Sequence, residues 1–269
     1  MVLESLSLIG KVAIVTGGGG GLGTAMSLAM AKAGADIVIA DKRLPAAEQT
    51  AEKVMVLGRR ALAVATDVTD SRQVNDMVDR TFAEFGRVDI LVNNAGLDAA
   101  FKPITELTDE DWRSGMDVNL TGAFYCSRAV VKFMQAQKSG KIINIASGFG
   151  FRAGRNYYIY SAAKAGVISL TQNLALNLAE DNIQANCIAP GLFWTFQTRG
   201  GAAQVEEAKR MRGRFIPIGR VGEPEELGPL CVFLASDASS YMTGAVISPD
   251  GGSLAAGFAP TGMAPVIPL

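Results

Sequence analysis

The chain has 269 residues, 25 Lys and Arg against 26 Asp and Glu, and no histidine. A formal charge of −1 gives no attraction to nucleic acid or to an anionic membrane, and a chain without histidine lacks the commonest zinc ligand, so neither partner nor a metal site is expected. With 49% hydrophobic and 19% charged residues, the length suits one large domain over 1–269 with a sizeable core.

The N-terminal stretch MVLESLSLIGKVAIV has no basic region ahead of an apolar run and no small-residue cleavage site. No later segment gives an uninterrupted apolar run of about 18 residues, the length a spanning helix needs. Cys126, Cys187 and Cys231 are scattered through apolar segments, which points to buried free thiols and a reducing, cytoplasmic setting.

From Lys11 onward, short β-branched runs alternate with longer helical ones. Strands are predicted at 11–16, 36–41, 60–67, 88–94, 140–147, 183–190 and 244–252. Helices are predicted at 22–34, 44–58, 70–85, about 109–137, 157–180 and 225–235. The apolar positions within most strands are contiguous, as expected where both faces of a parallel sheet are covered. The pattern predicts an α/β fold, a Rossmann-type doubly wound parallel seven-stranded sheet with helices on both faces. Two stretches break the rhythm. Residues 192–222 form a long insertion after a strand end, expected to be a substrate loop. The tail 255–269 (AAGFAPTGMAPVIPL) carries three prolines and no charged side chain.

TGGGGGLG (16–23) follows the first strand and opens the first helix. Such a turn exposes backbone N–H groups and lets a diphosphate approach the helix N-terminus. Two spacings fit it: GxGxxG at Gly18, Gly20 and Gly23, and GxxxGxG at Gly17, Gly21 and Gly23. Asp41 ends the second strand, where a carboxylate can accept both hydroxyls of an adenosine ribose. Its alternative is to cap helix 44–58. Asp67 ends the third strand and Asn93–Gly96 the fourth, so polar tips line one edge of the sheet. No GKS or GKT follows the glycines, which argues against an ATP-hydrolysing P-loop. An S-adenosylmethionine transferase stays open at this point.

Tyr160 and Lys164 are i and i+4 on a helix and share a face. Tyr157 is seven residues from Lys164, about 10.5 Å of helix rise, and Tyr158 points away, so Tyr160 is the candidate proton-transfer group. A neighbouring ammonium is expected to lower the phenol from its usual value near 10. Packing of the tyrosine with a snorkelling lysine is the structural alternative. Ser147 ends the fifth strand and can hold a substrate oxygen against the tyrosine. Asn119 is a polar residue in a largely apolar helix, either bonded locally or a relay from Lys164 to water.

Over essentially its whole length the chain resembles the short-chain dehydrogenase/reductase family. The family's TGxxxGxG turn matches Thr16, Gly17, Gly21 and Gly23, which selects the second spacing, and its NNAG motif matches Asn93, Asn94, Ala95 and Gly96. The resemblance implies Asn119, Ser147, Tyr160 and Lys164 as catalytic residues. For cofactor contacts it implies Leu22 in the turn, Asp41, Asp67, Val68, Asn94, Pro190, Gly191, Phe193 and Thr195, with Lys164 also holding the nicotinamide ribose. The implied chemistry is hydride transfer between nicotinamide and a secondary alcohol or ketone, and the family commonly forms homotetramers. Asp41 points to NAD as cofactor, although Lys42 and Arg43 beside it could hold the 2′-phosphate of NADP.

Phe149, Tyr157, Trp194 and Phe196 are expected around the substrate, which suggests a cyclic or otherwise apolar alcohol or ketone. Against this, scaffold segments such as DWRSGMDVNLTGAFYCSRAV are similar to those of gluconate 5-dehydrogenases and 3-oxoacyl-carrier-protein reductases. A nucleotide-sensing protein without activity would ordinarily lack Tyr160 or Lys164, and a methyltransferase has no use for the Ser147, Tyr160 and Lys164 set.

Overall fold

The computed structural model describes residues 2–195 and 205–256. Seven strands are found among them: β1 Val12–Thr16, β2 Asp36–Asp41, β3 Ala61–Ala65, β4 Ile90–Asn93, β5 Gly140–Ile145, β6 Ile183–Ile188 and β7 Val246–Ile247. All pair in parallel, in the order β3-β2-β1-β4-β5-β6-β7. After a short helix α1 (Val2–Ser5), the helices between the strands are α2 Gly21–Lys32, α3 Leu44–Val56, α4 Ser71–Phe85, α5 Asp109–Met116, α6 Gly122–Gln137, α7 Tyr158–Leu178, α8 Val205–Gly213 and α9 Gly228–Ala235.

The contiguous apolar runs have the expected cause. Along β1, Ala13 and Val15 enter one core with Ile37, Ile39 and Ile143, beneath Met26 and Met30 of α2, Ala51 of α3 and Cys231 of α9. Val12 and Ile14 enter the other, with Val38, Leu91 and Ile142, beneath Met77 of α4, Val130 of α6 and Ala175 of α7. Side chains alternate across a strand, so a strand covered on both faces has no polar side to show. All three cysteines are buried and free.

Element ends are set by local chemistry. Asp70 caps α4 by accepting from Arg72 N at 2.9 Å, and Gly86 ends that helix at φ 73°. Thr108 and Asp111 form a reciprocal capping box at the start of α5.

The structure departs from expectation in three elements. The helix predicted over 109–137 is two helices, α5 and α6, joined by a π-helical turn at Asp117–Thr121. The last strand shrinks from 244–252 to Val246–Ile247, because Asp250 turns the chain by accepting from Gly252 N (2.8 Å) and Leu254 N (2.7 Å). The insertion 192–222 contains α8 and packs its own small core of Trp194, Ile216 and Val221. Residues 196–204, with the expected substrate residue Phe196, and nearly all of the tail fall outside the described residues. Among those described, no helix is long and apolar enough to cross a membrane.

Candidate active site

β1 leads to β2 on one side of the sheet, and β4 lies against β1 on the other. The chain reverses direction there, which opens a crevice at the carboxyl ends of the two strands. Thr16, the last residue of β1, staples the two ends together. Its Oγ1 accepts from Asn94 N and Ala95 N, both at 3.1 Å, and donates to Val92 O at 3.3 Å. Asn94 returns the contact, its Nδ2 donating to Thr16 O and Gly17 O at 3.0 Å each.

The glycine turn therefore starts from a fixed point. Gly17 and Gly21 have φ of 61° and 51°, the left-handed region that favours glycine. A Cβ on Gly23 would collide with Gly17 O. The structure thus requires glycine at all three positions of the GxxxGxG spacing. At Gly20 a Cβ would find only Arg43 Nη2, 3.7 Å away. The turn leaves the α2 N-terminus bare of side chains, with no side-chain cap on its first N–H groups. Such a cradle fits the diphosphate of a dinucleotide. Thr195 stands 3.5 Å from the space beside Gly21, and Leu22 packs back against the core.

Asp41 is buried at the end of β2 and does not cap α3, whose N-cap is Arg43. Its two oxygens accept from Gly19 N and Arg43 N, each at 3.0 Å, so it ties the second strand to the glycine turn. Lys42 is exposed and pairs with Asp67 at 2.7 Å. That hydrogen bond, with two from Thr69, holds the Asp67 carboxyl below its ordinary range. Arg43 leans back, its Nε 3.6 Å from Asp41 Oδ1, so a cation borders the turn. Val68 packs against Gly122, where a Cβ would lie 2.7 Å from Val68 Cγ2. Pro190 O accepts from Gly148 N at 3.1 Å, and Gly191 passes so close to Asp250 that a Cβ would lie 2.7 Å from its Cα.

Ser147 follows β5 and opens a 3₁₀ turn, its Oγ accepting from Phe149 N at 3.2 Å. Tyr160 and Lys164 lie on the first two turns of α7. Lys164 Nζ donates to Ile145 O at 2.9 Å and sits 5.6 Å from the centre of the Tyr160 ring. Asn119 lies in the π turn, Nδ2 donating to Leu97 O and Gly115 O at 3.0 Å and Oδ1 accepting from Leu97 N at 3.3 Å. The extra residue of a π turn re-aims a side chain, as such bulges often do at functional sites. Gly96 lies between these groups: its missing Cβ would be 2.9 Å from Asn119 Oδ1 and 3.4 Å from Lys164 Nζ. The four expected catalytic residues are one cluster.

The expected lowering of the Tyr160 phenol needs correction. Burial raises it above its ordinary value, opposed by a hydrogen bond with Ser147, while Asp98 and Tyr157 add to the rise. Lys164 is itself fully desolvated, and burial brings its ammonium down to about 8. Both groups are shifted toward their neutral forms.

Phe149 stacks on Tyr157 with ring centres 4.4 Å apart, and both rings present edges to Tyr160, at 6.4 and 6.2 Å. Trp194 departs from its expected pocket role. It is 2% exposed in the core of the insertion, with Lys209 Nζ and Arg212 Cζ 5.8 and 5.4 Å from its ring. Phe193 is buried too and bridges to Gly222. Phe101 continues the aromatic ladder, 5.1 Å from Tyr157. Sequence reading missed it because a single aromatic in an irregular loop has no periodicity. Also missed was the buried chain in which Asn93 Nδ2 donates to Ser127 Oγ and Asn144 Oδ1, and Asn144 to Thr171 Oγ1.

A family model described as enoyl-(acyl carrier protein) reductase matches residues 18–253. The 2-dehydro-3-deoxy-D-gluconate 5-dehydrogenase of Escherichia coli (strain K12) is 43% identical over 257 residues, 95% of this chain and 100% of that protein. The cis-4-hydroxycyclohexanecarboxylate dehydrogenase of Sinomonas cyclohexanicum is 40% identical over 242 residues, 90% and 96% of the two chains. Among solved structures, a gluconate 5-dehydrogenase from Burkholderia cenocepacia J2315 in complex with NADP and tartrate matches with a TM-score of 0.88 at 35% identity, covering 95% of this chain and 99% of that one. The chain belongs to the short-chain dehydrogenase/reductase family as an NAD(P)-dependent enzyme related to gluconate 5-dehydrogenases and 3-oxoacyl-acyl-carrier-protein reductases.

Proposed function

We propose that the protein interconverts a secondary alcohol and a ketone on a hydroxy acid, as a gluconate 5-dehydrogenase-like enzyme. The observation that carries the chemistry is the meeting of Ser147, Tyr160 and Lys164 beside the glycine cradle. The substrate class is supported by the names of the relatives from Escherichia coli and Sinomonas cyclohexanicum, both of which place the reaction on a carboxylic acid.

In this reading a nicotinamide dinucleotide, when bound, supplies or takes up the hydride. Gly17, Gly21, Leu22 and Gly23 receive its diphosphate; Asp41 receives the adenosine ribose; Asp67 and Val68 border the adenine. Asn94, Ala95 and Gly96 bound the crevice, and Pro190, Gly191, Phe193 and Thr195 lie along the nicotinamide half. Tyr160, held neutral by burial, gives its proton to the oxygen of the forming alcohol, and takes one back in the oxidative direction. Ser147 holds that oxygen in line. Lys164 places its ammonium below the phenol and on the nicotinamide ribose, and Asn119 anchors the strand-end backbone around it as a relay position. NAD is the favoured cofactor, because a carboxylate at the end of β2 would set like charge against a 2′-phosphate, a reading supported by the position of Asp41.

A specific observation supports a second substrate reading. The ladder Phe101–Tyr157–Phe149 beside Tyr160 suits the apolar face of a ring, and one relative carries a cyclohexane substrate in its name. A 3-oxoacyl thioester is the remaining alternative. Turnover of D-gluconate, 2-dehydro-3-deoxy-D-gluconate, cis-4-hydroxycyclohexanecarboxylate, cyclohexanol and a 3-oxoacyl thioester with each cofactor tests all three. Greatest kcat/KM on D-gluconate or 2-dehydro-3-deoxy-D-gluconate is expected; a preference for either cyclic substrate or the thioester refutes the main reading. We further propose a cytoplasmic homotetramer, supported by the free thiols and by apolar side chains exposed on α5, α6 and α7.

A further inference from the structure

The segment from Gly96 to Phe101 is pinned at both ends of the candidate site. Leu97 is bonded through both its N–H and its carbonyl to Asn119. Ala99 packs on α5, its Cβ 3.1 Å from where a Gly115 Cβ would be. Phe101 closes edge-on against Tyr157, whose ring is in turn 6.2 Å from that of Tyr160. Asp98 lies between these anchors, exposed, and its charge is felt at the Tyr160 phenol. Among the described residues its carboxylate has neither a hydrogen-bond donor nor an ion-pair partner. Most other carboxylates near the crevice are engaged: Asp41 by two backbone N–H groups, Asp67 by Lys42, Asp250 by two N–H groups. The rings that line this side of Tyr160, Phe149 and Tyr157 with Phe101 against the latter, offer a hydroxyl no acceptor of comparable strength. An ionised carboxylate accepts stronger hydrogen bonds than a neutral group.

We infer that Asp98 is a specificity-determining residue whose carboxylate accepts hydrogen bonds from substrate hydroxyls flanking the reacting carbon. The inference rests on Tyr160 being the proton-transfer group. It makes the site two-sided: an aromatic wall for the carbon skeleton, and one charged acceptor for hydroxyls beside the carbon that changes oxidation state. A substrate with flanking hydroxyls gains from Asp98, whereas a ring bearing a single hydroxyl and a distant carboxylate does not. Other charges near the phenol are few. Burial opposes its ionisation most, Asp98 and Tyr157 add to that, Ser147 favours it, and Lys164 is bonded to Ile145 O.

Two measurements on the full chain test this. The first is the ratio of kcat/KM for D-gluconate, which has flanking hydroxyls, to that for cis-4-hydroxycyclohexanecarboxylate, which has none. Both are anions, so the general effect of removing a charge cancels. D98A is expected to lower the ratio about tenfold, with D98N, which keeps an acceptor oxygen, in between. An unchanged ratio overturns the inference. The second needs no turnover: phenolate absorbance is titrated in wild type, D98N and Y160F, the last identifying the Tyr160 step. D98N should titrate Tyr160 at lower pH, because a negative charge near the phenol has been removed. A Tyr160 step that stays put overturns the placement of Asp98. A step that moves in a protein turning over neither substrate supports the placement and sinks the substrate reading instead.

Discussion

Three tyrosines crowd 157–160, and only their surroundings separate them. Tyr158 is exposed on α7. Tyr157 is the N-cap residue of that helix and belongs to the aromatic ladder, while Tyr160 shares a hydrogen bond with Ser147 and lies over Lys164. Y160F is therefore expected to lower kcat by about 10²–10⁴-fold with dinucleotide affinity nearly intact, and Y157F to act mainly on KM. Steady-state kinetics with fluorescence titration of the cofactor separate the two; a large kcat loss confined to Y157F reverses the assignment. Lys164 allows a second test that does not involve turnover. Its ammonium sits near 8 in the fold against 10.5 for a free lysine. Between those values the unfolded chain holds more protons than the folded one, so this residue's contribution to stability rises with pH. It is complete above 10.5 and lost as pH falls through about 8. The size is on the order of 3 kcal/mol for a shift of that extent. K164M should flatten the rise of Tm between those pH values in the cofactor-free protein. An equally steep rise in the variant assigns the effect to another group. Tyr160 acts in the opposite sense, because its raised phenol leaves stability undiminished below 10 and reduces it above.

At the scale of elements, β1, the glycine turn and α2 form the part of the site most readable from sequence. Contiguous valines and isoleucines marked a strand covered on both faces, and the glycines marked where backbone rather than side chain must face outward. Which glycines are obligatory follows from packing across chain segments, as when Gly23 meets Gly17 O. The break at Asp117–Thr121 was invisible for a related reason. A π turn differs from α-helix by one residue in register, and the apolar pattern runs through it unbroken. The i,i+4 spacing of Tyr160 and Lys164 gives adjacency and says nothing of how deeply the pair is buried, so the direction of the phenol's shift is not legible in it. The Lys42–Asp67 pair was equally out of reach, since it depends on how β2 and β3 lie side by side, and the lean of Arg43 onto Asp41 is a choice of side-chain rotamer. They bear on the cofactor. In the proposed reading Asp41 opposes a 2′-phosphate, while Arg43 borders the same turn and is placed to accept one once that carboxylate is gone. D41A should therefore reduce the ratio of kcat/KM for NAD to that for NADP by about tenfold or more. D41A with R43A should lose the gain on NADP. Wild type that is more efficient with NADP than with NAD refutes the cofactor proposal outright.

The face of the sheet covered by α5, α6 and α7 carries exposed apolar side chains. Trp112 on α5, Phe124 on α6 and Tyr158 and Leu176 on α7 are exposed large side chains, Leu176 at 79%. These helices cover the same face, with α6 and α7 sharing a core with Val12, Ile14 and Val38. At the other limit the sheet ends in β7, a strand of two residues paired only with β6 among the described residues, so its outer edge is open. Exposed apolar side chains on one helical face and an unfinished sheet edge are each costly in water and each readily covered by a second copy. Two different surfaces that each pair with themselves build a tetramer with two-fold axes. The expected result is sedimentation as a tetramer at micromolar concentration. Charge placed on the helical patch by F124E with L176E should reduce the tetramer to a dimer held through the β7 side, while circular dichroism and dinucleotide binding report an intact fold. The tail 257–269 is tested separately by deletion: loss of assembly gives it a role in the interface, and unchanged assembly assigns the contact to the helices and the sheet edge alone. A wild-type monomer at that concentration ends the proposal, because surface that stays wet in isolated chains has no partner copy to explain it.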